Sequence, residues 1–181
     1  MYIALFSPTG GTRKAAEIIG RAIDPQAVEI DLSKTQAEGL PLELGHDEVL
    51  LAAVPVFGGR VPAIAIERLK GITGHDTPAI PVVVYGNRDY DDALLELKSA
   101  LESNGFRPVA GIACIAEHSI MHVYATGRPD AADEQVLKQF ASQIVDKLKR
   151  VKGGIPAPIE VKGNPDYKPY NGVPLKPHAT R

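Results

Sequence analysis

Short apolar runs alternate along the chain with stretches in which apolar residues recur every three or four positions. The runs Tyr2–Phe6, Ala27–Leu32, Glu48–Val54, Ala79–Tyr85 and Pro108–Ala116 have the length and composition of strands. Glu48–Val54 is almost continuously apolar, as suits a parallel sheet covered on both faces. Helical spacing predicts a helix over Thr12–Ile23 with Ala15, Ile19, Ala22 and Ile23 on one face. A second helix opens with Pro62 at its first position and runs to about Lys70. A third follows Asp89, which can cap it, with Asp91 and Asp92 in its first turn and Leu94, Leu97 and Leu101 inward. The last is capped by Asp130 and carries the stripe Leu137, Phe140, Ala141, Ile144 and Leu148. Lys147, Lys149, Arg150 and Lys152 gather at its end, and Gly153-Gly154 stops it. Ser33–Asp47 is polar and holds Gly39, Pro41 and Gly45, so it reads as a loop with at most a short helix.

Strands alternating with helices predict a doubly wound α/β domain, a five-stranded parallel sheet with helices on both faces and right-handed crossovers. That domain spans residues 1–152. From 153 to 181 the periodicity stops and Pro156, Pro158, Pro165, Pro169, Pro174 and Pro177 dominate, which predicts an extended tail. Within it Tyr167, Tyr170, Val173 and Leu175 are apolar enough to anchor the tail on the domain or on a partner chain.

Composition narrows the chemistry. The chain of 181 residues is 44% hydrophobic, enough for one full core. Its net charge of −2 gives no basic footprint for nucleic acid or an anionic membrane. The single cysteine, Cys114, leaves no internal disulfide and no all-cysteine iron–sulfur cluster within this chain. It lies in Ile112-Ala113-Cys114-Ile115-Ala116 and reads as a packed strand residue. The first residues, Met1-Tyr2-Ile3-Ala4-Leu5-Phe6, lack a secretory leader, and no apolar run has the length of a membrane span, so a cytoplasmic setting is expected.

In such sheets ligands bind at the carboxyl ends of the strands. The loop after the first strand is Ser7-Pro8-Thr9-Gly10-Gly11-Thr12. It offers three hydroxyls, two glycines that admit an anion close to the backbone, and a helix N-terminus, a set that favours a phosphate. No lysine stands where a nucleoside-triphosphate loop needs one, and the dinucleotide pattern of spaced glycines is missing. The alternative is a turn that merely caps the helix. After the third strand comes Pro55-Val56-Phe57-Gly58-Gly59-Arg60-Val61-Pro62, and after the fourth Tyr85-Gly86-Asn87-Arg88-Asp89-Tyr90. After the fifth comes Glu117-His118-Ser119-Ile120-Met121-His122, where His118 or Ser119 can face a ligand or serve the loop alone. His118 and His122 are four apart with no third ligand nearby, so no metal is expected.

The first loop resembles the phosphate loop of the flavodoxin family, [ST]-x-T-G-x-T placed directly after the first strand. The resemblance implies the strand order 2-1-3-4-5 and FMN as cofactor, with Ser7, Thr9, Gly10, Gly11 and Thr12 around its terminal phosphate. It implies that Pro55, Val56, Phe57, Gly58, Gly59 and Arg60 flank the inner flavin edge; P-V-[FY]-x-G-R-x-P is the form typical of one subgroup. Reduction of a flavin places a proton on N5, and a carbonyl beside Gly58 or Gly59 can turn to accept it. Gly86 and Asn87 would serve the pyrimidine edge and Tyr90 would stack on the ring system. Arg88 would hold the flavin's negative charge or lie in solvent, and His118 would stand nearby. The subgroup usually continues into a ferredoxin-type domain with two iron–sulfur clusters, and Lys162–Tyr170 resembles the linker before it. The cysteines of such a domain do not occur in this sequence. Three functions stay open: an electron-transfer protein with a separate redox partner, an FMN-dependent reductase of a quinone or other small acceptor, and a binding module without flavin. A homo-oligomer also stays open.

Overall fold

The computed structural model describes residues 1–35, 37–151 and 157–169. Its strands are β1 (Tyr2–Leu5), β2 (Val28–Asp31), β3 (Leu42–Leu44), β4 (Leu50–Pro55), β5 (Ile72–Gly74), β6 (Thr77–Tyr85), β7 (Phe106–Pro108) and β8 (Ile112–Ile115). Its helices are α1 (Gly11–Ile23), α2 (Ala63–Leu69), α3 (Ala93–Ser103) and α4 (Ala131–Val151). The main sheet runs β2-β1-β4-β6, with β7 and β8 both on the far edge of β6, and every pairing is parallel. Counting β7 and β8 as one interrupted strand, this is the predicted 2-1-3-4-5 order.

Each face of the sheet is covered. Ala4, Leu50, Ala52, Val54 and Val83 point to a core closed by α2 and α3, while Ile3, Leu5, Leu51, Ala53 and Val82 point to one closed by α1 and α4. Alternate residues of one strand thus enter opposite cores, which is why the runs are continuous rather than alternating. Cys114 is buried in β8, and burial pushes its thiol up to about 11.

Four expectations need correction. Ser33–Asp47 is more than a loop: β3 pairs in parallel with β5 as a separate two-stranded sheet. Leu42 and Leu44 flank Glu43 with a strand's period of two, and Leu44 and Ile72 are fully buried. The buried Thr77 hydroxyl donates to the Leu44 carbonyl at 2.6 Å and ties this sheet to the main one. Second, Pro108–Ala116 breaks into β7 and β8; Val109 N–H still reaches the Ala79 carbonyl at 2.8 Å, but the chain steps out at Gly111, against which Val161 packs. Third, Pro62 and Asp92 sit just before their helices, so Asp91 and Asp92 are outside the first turn of α3. Asp89 caps no helix; its carboxylate accepts the N–H groups of Tyr90 and Asp91. Fourth, Ala22 and Phe140 are exposed; Ala16 and Gly20 complete the buried face of α1. The Gly153-Gly154 stop lies outside the described residues.

Asp130 caps α4 as expected, accepting the N–H groups of Ala132 and Asp133 at 2.8 and 3.0 Å. Asp133 closes the box by accepting Asp130 N–H at 2.9 Å and pairs with the Arg128 guanidinium. Arg128 holds the Asp133 carboxyl down from 3.8 to about 2. Because the folded value lies below the unfolded one, the stabilisation is complete above about pH 4 and is lost as pH falls toward 2. Asp133→Asn should therefore cost about 1–2 kcal/mol at pH 7. The difference in urea midpoint between variant and parent should close progressively in that acid window.

Candidate functional site

The first loop is braced from behind and open in front. Ser7 N–H donates to Ser33 Oγ at 2.6 Å, and Ser7 Oγ accepts Arg13 N–H at 2.9 Å. Ser7 is buried in this brace and borders neither of the two cavities described here. Gly10 takes φ 90° just before α1, a left-handed turn open to glycine at little cost. Among the described residues, the N–H groups of Thr9, Gly10, Gly11 and Thr12 find no acceptor in the chain. Four consecutive donors thus stand at a helix N-terminus. Pro8, Thr9, Gly11 and Thr12 line a cavity of about 410 Å³. The nearest guanidinium in sequence, Arg13, is turned away to pair with Glu29 and with Asp31 at 2.9 Å.

The second loop is a hairpin turn. Phe57 N–H donates to the Arg60 carbonyl at 2.9 Å and Arg60 N–H returns a bond at 3.2 Å. Between them Gly58 and Gly59 have φ of 62° and 87°, the two positive values that a two-residue turn of this hand requires. The Gly59 carbonyl accepts Asp92 N–H at 3.2 Å. The Gly58 carbonyl has no donor among the described residues. Asp91 closes on Gly59 so tightly that a Cβ there would lie 2.8 Å from that of Asp91.

The third loop contributes to both this cavity and its neighbour, of about 400 Å³. Tyr85 and Gly86 border both, and Asn87, Arg88 and Asp89 border the second. Burial raises the Tyr85 phenol, so its hydroxyl stays a donor through the neutral range. Asn87 takes φ 68°, a left-handed conformation that asparagine tolerates better than most residues. Arg88 pairs with Asp91 while bordering the second cavity. His118 borders both cavities and packs on Gly86, whose missing Cβ would lie 2.5 Å from the His118 ring. His118 Nδ1 accepts the N–H groups of Ile120 and Met121 at 3.2 and 3.1 Å, which leaves the ring proton on Nε2.

Of the sequence candidates, Thr9, Gly11, Thr12, Pro55, Val56, Phe57, Gly58, Gly59, Gly86, Asn87, Arg88 and His118 border one or both cavities. Ser7, Gly10, Arg60 and Tyr90 do not. Arg60 is committed elsewhere: its guanidinium donates to Glu96 at 2.7 and 2.8 Å and to the Lys168 carbonyl at 2.8 Å. The Glu96 carboxylate raises its pKa further. Tyr90 packs against the core, with its ring edge-on to Tyr85 at 5.5 Å and the Lys162 ammonium 4.9 Å above it. The aromatic rings that border these two cavities, besides the His118 imidazole, are those of Phe57, Tyr85 and Tyr124. Tyr85 and Met121 stood in the quoted loops without a role assigned to them, and Tyr124 carries no motif. Among the described residues no group of three or more His, Cys, Asp or Glu is placed to hold a metal ion, and no helix is long and apolar enough to cross a membrane.

The sequence matches no protein-family model, and a search of curated protein sequences returns no match. Solved structures do resemble the chain. A flavodoxin from Streptococcus pneumoniae TIGR4 aligns with TM-score 0.55 at 14% identity, over 81% of this chain and 97% of that one. Two-electron reduced flavodoxin from Megasphaera elsdenii aligns with TM-score 0.51 at 16% identity, over 79% and 99%. The Flv1 flavodiiron core from Synechocystis sp. PCC6803 aligns with TM-score 0.57 at 16% identity, over 83% of this chain but 36% of that one. At these identities the likeness speaks for the fold. The chain has the flavodoxin-like fold, and the two cavities described above lie at the carboxyl end of the sheet.

The packing of His118 on Gly86 gives a direct test. Gly86→Ala should cost about 1–3 kcal/mol, because the added methyl overlaps the imidazole. His118→Ala in the same chain should recover most of that loss in a double-mutant cycle read by urea unfolding. Additive losses would show that the two residues do not touch.

Proposed function

We propose that the chain is an FMN-binding electron-transfer protein that works with a separate redox partner, with residues 1–152 as its cofactor domain. The observation that carries the reading is the row of four unpartnered N–H groups from Thr9 to Thr12. Thr9, Gly11 and Thr12 border a cavity that continues to the Gly58–Gly59 turn and Tyr85. Bound FMN would supply reversible one- and two-electron transfer, and the protein binding, orientation and tuning. Thr9, Gly11 and Thr12 would hold the phosphate through backbone donors and hydroxyls. The helix dipole would supply the positive end, since Arg13 is paired elsewhere. Phe57 and Tyr85 would border the ring system. Among the described residues the Gly58 carbonyl has no donor, so it is the one suited to accept a hydrogen bond from N5–H, while that of Gly59 is anchored by Asp92 N–H. Exposed Ile120, Met121 and Tyr124 give the cavity mouths an apolar rim suited to close approach of a second redox centre.

The first test is the absorbance spectrum of the purified protein, followed by titration with FMN and riboflavin. FMN should bind more tightly than riboflavin, which lacks the phosphate. Gly10→Val, which forces a β-branched residue into φ 90°, should turn the cradle's N–H groups aside. FMN affinity should then fall by one to two orders of magnitude, roughly 1.4–2.8 kcal/mol, with riboflavin affinity little changed. Equal affinity for the two flavins in the parent protein would overturn the phosphate cradle.

The two glycines of the turn should behave differently. Gly58→Asn keeps a residue that tolerates positive φ and should bind FMN near the parent level. Gly58→Val should move the separation between the two one-electron potentials, measured by anaerobic titration, because it restrains the free carbonyl. Gly59→Ala should chiefly cost stability, since its methyl meets Asp91. An unchanged separation in Gly58→Val would remove this carbonyl from redox tuning.

A further inference from the structure

Asp92 stands at the N-cap of α3, where a carboxylate ordinarily caps its own helix, yet it makes no side-chain cap bond. Its Oδ1 accepts the N–H of Asn164 at 2.7 Å and its Oδ2 the N–H of Lys168 at 2.7 Å. Two charge-assisted bonds therefore hold a segment more than seventy positions away in sequence. The neighbouring carboxylates do the same. Asp89 accepts Lys162 Nζ at 3.0 Å, and Asp91 accepts Lys168 Nζ at 3.1 Å beside its pair with Arg88. The segment is also packed: Val161 joins the core, and Gly163 lies so close on Leu95 that a Cβ would come within 2.6 Å of it.

These contacts meet the Gly58–Gly59 turn from both sides. Asp92 N–H holds the Gly59 carbonyl, and the Asp91 carboxylate lies against the Gly59 Cα. On the other side Arg60, the residue that closes the turn, donates to the Lys168 carbonyl at 2.8 Å and lies 4.9 Å from the centre of the Tyr167 ring. We infer that residues 161–168 form a strap that positions the Gly58–Gly59 turn, with Asp92 as its clamp. The inference rests on the reading of that turn as part of a flavin site. Asp92, Asp91 and Lys168 are positioning residues; none lines either of the two cavities. The strap anchors Gly59 and Arg60 and leaves the Gly58 carbonyl as the movable element.

Hydrogen exchange on the flavin-free, full chain tests this without any bound cofactor. In Asp92→Ala the amides of Asn164 and Lys168 should lose protection. Those of Phe57 and Arg60, which close the turn, should exchange at least about tenfold faster. The amides of Arg13 and Lys14, in the first loop's helix, should not change. Asp92→Asn, which keeps one good acceptor, should fall between parent and alanine variant. Lys168→Met, which removes the Asp91 ion pair alone, should move the same amides less; these two variants carry the comparison if the alanine variant does not fold. Titration of Asp92→Ala should weaken FMN and riboflavin by the same factor, because the phosphate cradle is untouched. The proposal is overturned if Phe57 and Arg60 stay protected once the strap amides are exposed, or if the strap amides stay protected without Asp92. A parent protein that binds no flavin would instead defeat the flavin reading, and the exchange pattern would still decide the strap.

Discussion

Strand β6 is paired on both edges and covered on both faces, and every feature of the site depends on that burial. Its interior residues have no freedom to slip by one position, since a slip would exchange the two cores. The end of the strand is thereby fixed, and with it Tyr85 and Gly86. From there the Tyr85 carbonyl receives Ala116 N–H at 2.9 Å, and the Val84 carbonyl receives Val56 N–H at 2.9 Å. The loops after β4 and β8 are thus tied to the same buried strand from which the loop after β6 leaves, as well as to that loop. A site built this way is rigid at its base and adjustable at its glycines.

The charge arrangement around the first loop favours backbone donors over side-chain cations. Arg13 lies one residue past the cradle, but Glu29 and Asp31 draw its guanidinium to the edge of the sheet. Lys14 is exposed. An anion in the cradle would meet N–H groups and the end of a helix dipole, which stay fixed as charge changes and need no side chain to be ordered. Such a site distinguishes phosphate from its absence by geometry, and long-range attraction adds little in a chain with net charge −2.

Periodicity revealed the parallel sheet because burial on both faces leaves an unmistakable apolar run, while the strand order came only with the resemblance of the first loop. The first loop was legible because its chemistry is contiguous: hydroxyls and glycines within six residues, directly after a strand. Why Arg60 and Tyr90 border neither cavity was not legible, for the opposite reason. Each belongs to a loop beside the cavity, but its orientation is set by Glu96, Lys162, Tyr167 and Lys168, partners 36 to 108 residues away. The small sheet of β3 and β5 was hidden because three-residue strands between glycine and proline read locally as a loop. The proline-rich stretch after residue 153 lacks a stripe, yet at least part of it packs, through backbone N–H groups that no hydropathy pattern can display.

The loop after β6 carries Asp89, Asp91 and Asp92, three carboxylates beside a site proposed for an anionic cofactor. Left alone they would oppose binding, since like charges a few ångströms apart repel strongly where water is partly excluded. Each has a partner that removes most of this cost. Lys162 holds the Asp89 carboxyl below the ordinary range, helped by the Asp91 and Tyr90 N–H groups. For Asp91, burial opposes ionisation, but hydrogen bonds from Arg88 and Lys168 outweigh it and lower its pKa. Asp92 is met by two backbone N–H groups. Asp89 and Asp91 therefore stay ionised and paired above the ordinary carboxylate range. Two of the three cations come from residues 162–168, so the same segment that positions the turn also neutralises the wall beside it. That dual effect explains why acidic residues are tolerated at the cavity mouth: the loop and the segment across it form one electrostatic unit, and neither would be favourable there without the other.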